Sequence, residues 1–200
     1  MFIGGVGSML AQLGKLSDLQ VVGVVGSSHK VEYAKTKLGC DYVIDKSTEN
    51  LWQKAEECSP DGYAAIFDAN GYVTLRTSYE HLAPGGRLIA YGFHSMLPKS
   101  GGVLGWVEWL KIIWGYLRTP TFNPLTMTTE NRGILCFNLS FMFSRTDILK
   151  EALTYFLSHI ETGALKPPEV TVFPMSKTGD AHASLESGAT VGKLILSTLQ

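Results

Sequence analysis

The 200-residue chain predicts an α/β fold: a doubly wound parallel sheet with helices on both faces. Three observations carry that expectation. A glycine cluster, Gly4-Gly5-Val6-Gly7, stands directly ahead of a helix-period run; Gln20 to Gly26 is a near-continuous β-branched stretch; and segments of the two kinds then alternate as far as Gly92. Glycine lets backbone approach a ligand or a neighbouring strand closely, since no Cβ obstructs it. A β-branched run without polar alternation marks a strand buried on both faces.

In order along the chain, Met9, Leu10, Leu13 and Leu16 recur at helical spacing, so Ser8 to Leu16 is expected to be a helix opened by the glycine loop. Gln20 to Gly26 is the first full strand. Helix is expected over Val31 to Leu38, strand over Asp41 to Ile44, helix over Thr48 to Cys58 and strand over Tyr63 to Asp68. A helix from Thr74 to Leu82 is expected to stop at Pro84-Gly85-Gly86, with strand resuming over Arg87 to Tyr91. Val103 to Leu117 is the most apolar and aromatic run, with Trp106, Trp109 and Trp114. Glu108 and Lys111 interrupt it, and it is shorter than the roughly 20 apolar residues a bilayer span needs. It reads first as an amphipathic helix docked on another lobe or on a second subunit of a homodimer. Peripheral contact at a membrane interface is the second reading. Thr119 to Pro124 breaks the chain, and Arg132 to Leu139 returns as strand. Ile148 to Ile160 is helical and ends at Gly163. Val170 to Phe173, Thr178 to Ser187 and Val191 to Ser197 then follow as strand, helix and strand.

Composition narrows the function. Seventeen basic residues against 18 acidic give a net charge of −1, which argues against nucleic acid as a partner. Cys40, Cys58 and Cys136 are too few and too scattered for a disulfide framework or a zinc site, and read as reduced core thiols. No secretory signal pattern opens the sequence, so a cytoplasmic location is expected. The five histidines are ungrouped, and neither H-E-x-x-H nor G-x-S-x-G occurs, which removes support for metal and serine hydrolases. No catalytic side chain stands out.

The segment after the first full strand is the most informative. Dinucleotide sites for NAD carry an acid about 20 residues beyond the glycines, where it accepts hydrogen bonds from the ribose. Here the chain reads Gly26-Ser27-Ser28-His29-Lys30, with no acid before Glu32. Hydroxyls and a cation at a helix start suit a phosphate dianion, with Lys46 a second positive charge for the same corner, so NADP is the expected cofactor. The alternative is that Ser28 caps the helix and both lysines are solvated.

The order of Gly-Gly-Val-Gly, Gly-Ser-Ser-His-Lys, Lys37 to Asp45, Phe67-Asp68-Ala69-Asn70-Gly71, Leu82 to Gly92 and Val191 to Leu196 resembles the medium-chain dehydrogenase/reductase superfamily. Within it the zinc-free quinone oxidoreductase branch is the best match. Asn131 to Leu139, the Trp-rich segment and Lys166-Pro167 look like the synaptic vesicle membrane protein VAT-1 group. The likeness covers nearly the whole chain. It implies a Rossmann dinucleotide-binding domain over residues 1–143, with residues 144–200 completing a substrate lobe. It implies NADPH (NADP) as cofactor and a small-molecule quinone or enone as hydride acceptor. The alternative is a membrane-associated or scaffolding protein that uses the cofactor fold for binding.

Position by position, the resemblance sets Gly4, Gly5 and Val6 against the diphosphate, and Ser27, Lys30 and Lys46 at the adenosine 2′-phosphate. It sets Asn70 and Gly71 beside the ribose linkage, Gly92 and Phe93 toward the nicotinamide, and the backbones of Phe137, Asn138 and Leu139 at the carboxamide. By side chain, Phe137 and Leu139 are expected in the core. Relatives carry a whole lobe ahead of the glycines, where this sequence has Met1-Phe2-Ile3, with Phe2 at a position calling for a small residue. The expectation is a fragment by family standards, its first residues derived from an internal or alternative start or from trimming, and its tail short of packing partners. Loss of a central strand would orphan backbone groups at about 1–3 kcal/mol each, against a net stability of roughly 5–15 kcal/mol. Activity is expected of the full protein.

Overall fold

Val22–Val25, the centre of the β-branched run, forms strand β1 and pairs in parallel with β2 (Tyr42–Asp45), Val22 opposite Tyr42 and Val25 opposite Asp45. The computed structural model describes residues 5–94, 105–188 and 190–198. They fall into two compact units, one from Met1–Lys54 with Arg145–Gln200 and the other from Ala55–Ser144.

In the first unit, helix α1 (Gly5–Leu16) precedes β1, a single 3₁₀ turn (Ser28–Lys30) leads into α2 (Val31–Thr36), and β2 leads toward α3 (Leu51–Cys58). Ala11, Val25, Ala34, Leu38 and Cys40 form its core, flanked by Val21, Tyr33, Val43 and Val191. Gly39, at φ +71°, closes α2, with the Cys40 amide donating to the Ala34 carbonyl at 3.1 Å, the left-handed stop that glycine permits without a Cβ penalty. Further along come α7 (Thr146–Glu161), β6 (Val170–Pro174), α8 (Thr178–Glu186) and β7 (Lys193–Ser197), with β6 parallel to β7. The Gln12 side chain joins this tail to α1: its Nε2 donates to the Lys166 carbonyl at 3.0 Å and its Oε1 accepts from the Lys166 amide at 2.8 Å. Despite its apolar stripe, α7 buries none of its residues, and Leu153 is 59% exposed.

In the second unit, β3 (Tyr63–Asp68), β4 (Leu82–Ala90) and β5 (Gly133–Cys136) form a parallel sheet in the order β3-β4-β5. Helix α4 (Leu75–Glu80) packs on it through Leu75 and Tyr79, which meet Leu82, Leu88 and Ala90 in the core. The expected stop at Pro84-Gly85-Gly86 is displaced. The helix ends at Glu80 and Leu82 already pairs with Tyr63, while the next pair is Ala65 with Arg87. Ala83 to Gly86 therefore bulge from the β3–β4 ladder, held by the Tyr63 amide on the His81 carbonyl (2.9 Å) and the Gly85 amide on the Asn131 carbonyl (2.6 Å). Gly85 takes φ +84° at this bulge.

Helix α5 spans Trp106–Leu117; Val103 and Leu104, expected to begin it, lie outside the described residues. Gly115 seats it against Tyr72, whose Cε1 would lie 2.8 Å from an added Cβ. Ile112 is half-buried, and the tryptophans face outward, Trp106 at 75%, Trp109 at 53% and Trp114 at 59% exposure. Among the described residues, no helix is long and apolar enough to cross a membrane. Helix α6 (Pro124–Glu130) was not expected; Asn123 Oδ1 accepts from the Leu125 amide at 2.9 Å and Pro124 occupies its first turn. The strand expected over Arg132 to Leu139 is shorter, because Leu139–Phe141 turns into 3₁₀ under an Asn138 cap.

Among the described residues every strand pair is parallel, with helices between the strands, the doubly wound α/β pattern. The pairing falls into three sets, β1-β2, β3-β4-β5 and β6-β7. Among the described residues β1 and β3 are each paired along one edge only. In a doubly wound sheet the strand leading into the glycine loop lies centrally, and Met1 to Ile3 are outside the described residues.

Candidate functional site

In parallel sheets of this kind ligands bind beyond the carboxyl ends of the strands, so the candidates are found by following each strand outward. In the first unit, α1 begins at Gly5, where an added Cβ would meet nothing within 4 Å; Gly4 lies outside the described residues. Val6 is exposed and no acid occupies the first turn. Ser8, fully buried in that turn, has no hydrogen-bond partner for its Oγ among the described residues.

Beyond β1, Ser27 is half-buried and extended, and makes no side-chain cap. Ser28 does not cap the helix either, because its Oγ donates to Asp45 Oδ2 at 2.5 Å. Asp45 Oδ1 accepts from the Ser47 amide at 2.9 Å and from Ser47 Oγ at 2.5 Å. These bonds, Ser28 foremost, hold the Asp45 carboxyl at a pKa of about 2, against its burial. Lys46 is exposed, its Cε passing 3.6 Å from where a Gly26 Cβ would stand. Lys30, by contrast, is buried; its Nζ donates to the Gly188 carbonyl, and burial lowers its pKa. Lys46 is thus open to solvent, whereas Lys30 is drawn inward onto the Gly188 carbonyl. An acid absent from the local sequence enters this corner through space, from the end of β2.

In the second unit, Asp68 at the end of β3 organises the next turn. Its Oδ1 accepts from the amides of Asn70 (2.8 Å) and Gly71 (3.0 Å), and its Oδ2 from Thr74 Oγ1 (2.6 Å) and Ser78 Oγ (3.0 Å). Gly71 sits at φ +90°, where an added Cβ would be 2.5 Å from Phe93 Cδ1. An added Cβ at Gly92 would lie 3.1 Å from the Ala69 carbonyl oxygen. The Tyr91 and His94 amides donate to the Asp68 and Ala69 carbonyls at 3.0 and 2.9 Å. Asn70, Gly71, Gly92 and Phe93 are therefore brought together as one wall, with Gly71 buried and Phe93 exposed. Asp68, which builds the wall, was not among the sequence candidates. The D-x-x-G spacing with Thr74 and Ser78 beyond it is the signal that identifies it.

At the end of β5 the Phe137 amide donates to the Ala90 carbonyl at 3.2 Å. Phe137 and Leu139 are 49% and 52% exposed, which corrects their expected burial in the core: β5 is the outer strand of its sheet and the chain turns away after it. Asn138 Oδ1 accepts from the Ser140 amide at 3.0 Å. The cysteines also divide. Cys40 is buried, with burial foremost in pushing its thiol up to about 11; Cys58 is half-buried; Cys136, expected in the core, is exposed on the outer strand. Among the described residues no three His, Cys, Asp or Glu side chains lie together as a metal-binding group.

A family profile described as zinc-binding dehydrogenase matches residues 38–196. The chain belongs to the zinc-binding dehydrogenase family. Among its relatives, the synaptic vesicle membrane protein VAT-1 homolog of Danio rerio is 27% identical over 200 residues, covering 99% of this chain and 40% of that protein. A probable quinone oxidoreductase of Leishmania amazonensis is 26% identical over 196 residues, covering 96% of this chain and 54% of its own length. Among solved structures, Escherichia coli quinone oxidoreductase complexed with NADPH superposes with a TM-score of 0.71 at 25% identity, over 97% of this chain and 54% of that one. The chain thus spans about half the length of these relatives. The resemblance read in the sequence holds: this is a quinone oxidoreductase-like member of the medium-chain dehydrogenase/reductase superfamily, with a Rossmann-type domain. The family's description includes zinc, but the donor set among the described residues does not fit a zinc site.

Proposed function

We propose that this chain is the NADP(H)-holding part of a quinone or enone oxidoreductase, which transfers a hydride from NADPH to a quinone or an activated double bond. The likeness to the E. coli quinone oxidoreductase bound to NADPH, sustained over nearly the whole chain, carries this reading. The residues present fit a dinucleotide. At α1 the open space above Gly5, the absence of an acidic side chain and the orphaned Ser8 hydroxyl suit a diphosphate, which the helix N-terminus attracts.

In the first unit Gly4, Gly5 and Val6 take the diphosphate, while Ser27 and Lys46 take the adenosine 2′-phosphate. Lys30 supports that corner from within, by anchoring the turn to Gly188. Asp45 opposes a second anion there, but its oxygens are already engaged by Ser28 and Ser47, which disperses its charge. In the second unit Asn70 and Gly71 border the ribose linkage, Gly92 and Phe93 the nicotinamide, and the backbones of Phe137, Asn138 and Leu139 the carboxamide. The nicotinamide, when bound, supplies the hydride; the protein orients it and excludes water. Hydride transfer needs no protein nucleophile.

Thermal unfolding of the chain alone, with NADPH and with NADH, tests this. A ligand at 100 times its dissociation constant adds about 2.7 kcal/mol to the folded state. A rise in midpoint that is larger for NADPH supports the reading, and no shift with either cofactor overturns it. A second reading, membrane association of the kind named in the VAT-1 relatives, is favoured by the outward-facing tryptophans of α5.

A further inference from the structure

The second unit holds an open cavity of about 620 Å³ where β4 and β5 begin their ladder, at the pair Arg87–Gly133. This is the end away from Gly92 and Phe137, so the cavity is separate from the candidate cofactor residues. Arg87 and Arg132 line it together with Met127, Ile134 and Leu135, and among the described residues no Asp or Glu does.

The arginines are set there by specific features of the backbone. Asn131 adopts a left-handed φ of 55°, which turns its carbonyl onto the Gly85 amide. Gly133 leaves room for Arg87 to cross the start of β5, since an added Cβ would lie 2.8 Å from Arg87 Cδ. Arg87 Nη1 donates to the Gly85 and Gly86 carbonyls at 2.7 and 3.0 Å, which fixes one limb of its fork and leaves the other.

Arg132 is the less satisfied of the two. Its Nε is buried with no hydrogen-bond partner among the described residues, and its guanidinium lies 5.9 Å from the Tyr79 ring centroid. The neighbouring acid, Glu130, accepts the Tyr79 hydroxyl at 2.7 Å, and among the described residues it forms no ion pair with Arg132. A guanidinium drawn partly out of water without an anion is unfavourable, and a second guanidinium on the same cavity adds like-charge repulsion. An oxyanion relieves both, accepting from the limb that Arg87 has left and from the Arg132 guanidinium.

We propose that this cavity binds a small amphipathic anion, its carboxylate or phosphate head on Arg132 and Arg87 and its apolar body on Met127, Ile134 and Leu135. The test is a ¹H–¹⁵N titration of the chain with benzoate, phenyl phosphate and uncharged benzyl alcohol, which separates the two head chemistries from the apolar body. At least one anion is expected to shift the Gly85, Asn131 and Gly133 amides without moving Gly71 or Gly92, while benzyl alcohol leaves all of them in place. Arg132→Gln is expected to weaken binding by about tenfold or more, the loss of a charge-assisted hydrogen bond. NADPH is expected not to compete. Arg132→Lys provides a second variant that keeps the charge and loses the fork. No shift with either anion, shifts confined to Gly71 and Gly92, equal binding of benzyl alcohol, or full affinity in both Arg132 variants would overturn the proposal.

Discussion

Ser28 Oγ donates to Asp45 Oδ2 at 2.5 Å, tying the turn after β1 to the end of β2 through a carboxylate whose pKa is held at about 2. An unfolded aspartate titrates near pH 3.9, so between the two values the unfolded chain binds more protons than the folded one. The contribution of Asp45 is therefore fully present above about pH 4 and is lost as pH falls through about 2. Asp45→Asn is expected to lower the unfolding midpoint at pH 7, with the gap to wild type closing between these values. Midpoints measured across that window check it; a gap that stays constant down to pH 2 refutes the assignment.

Asp68 accepts four hydrogen bonds while 4% exposed, and the Gly71 conformation depends on them. Removing the carboxylate strands buried donors at about 1–3 kcal/mol each, so Asp68→Ala is expected to cost on the order of 3 kcal/mol once some donors find water. Gly71→Ala adds a Cβ at φ +90° that collides with Phe93, an expected cost of about 1–3 kcal/mol. Urea unfolding of both variants is the measurement. Losses under about 0.5 kcal/mol, the range of ordinary surface substitutions, would show that the turn is held by other contacts.

These two aspartates show where the sequence was legible and where it was not. Strands such as β1 and β3 and helices such as α1 and α7 follow from periodicity, since each is specified by side chains a few residues apart. The site's polar network is not local. Ser28 and Asp45 meet through strand pairing, and Lys30 is drawn inward by the carbonyl of Gly188, far along the chain. The early start of β4 depends in the same way on Tyr63 and His81 meeting across the sheet. Helix α6 is different. Asn123 followed by Pro124 is a local start signal, but a Thr-rich segment with no apolar stripe hides the helix behind it.

The separation of Lys30 from Lys46 gives a sharper cofactor test than treating them as a pair. Lys46→Ala is expected to weaken NADPH by roughly tenfold while leaving NADH nearly unchanged, the loss of one charge-assisted contact. Lys30→Ala removes a buried tie to Gly188 and is expected to lower the unfolding midpoint without ligand, affecting both cofactors alike. Thermal shifts of each variant with each cofactor distinguish these outcomes. Equal losses of NADPH and NADH in Lys46→Ala would show that no 2′-phosphate sits in this corner.

The last prediction concerns α5. Trp106, Trp109, Leu110, Ile113, Trp114 and Leu117 all project from one broad side of the helix and are 51–75% exposed, whereas Gly115 on the opposite side packs on Tyr72. Arg118 closes the helix with its guanidinium 5.3 Å from the Trp114 ring centroid. An indole with an adjacent cation is suited to the boundary between headgroups and acyl chains. If that face meets lipid, the chain co-sediments with vesicles, and Trp106→Ser and Trp109→Ser each weaken the association by on the order of tenfold, about 1.5 kcal/mol for an aromatic side chain removed from water. Anionic and zwitterionic vesicles should differ little, because the driving force is apolar and the chain's net charge is only −1. If the face is instead covered by a second copy or by another lobe, the protein stays in the supernatant with its tryptophans shielded from a soluble quencher. Quenching and co-sedimentation run on the same sample therefore decide which surface these tryptophans serve.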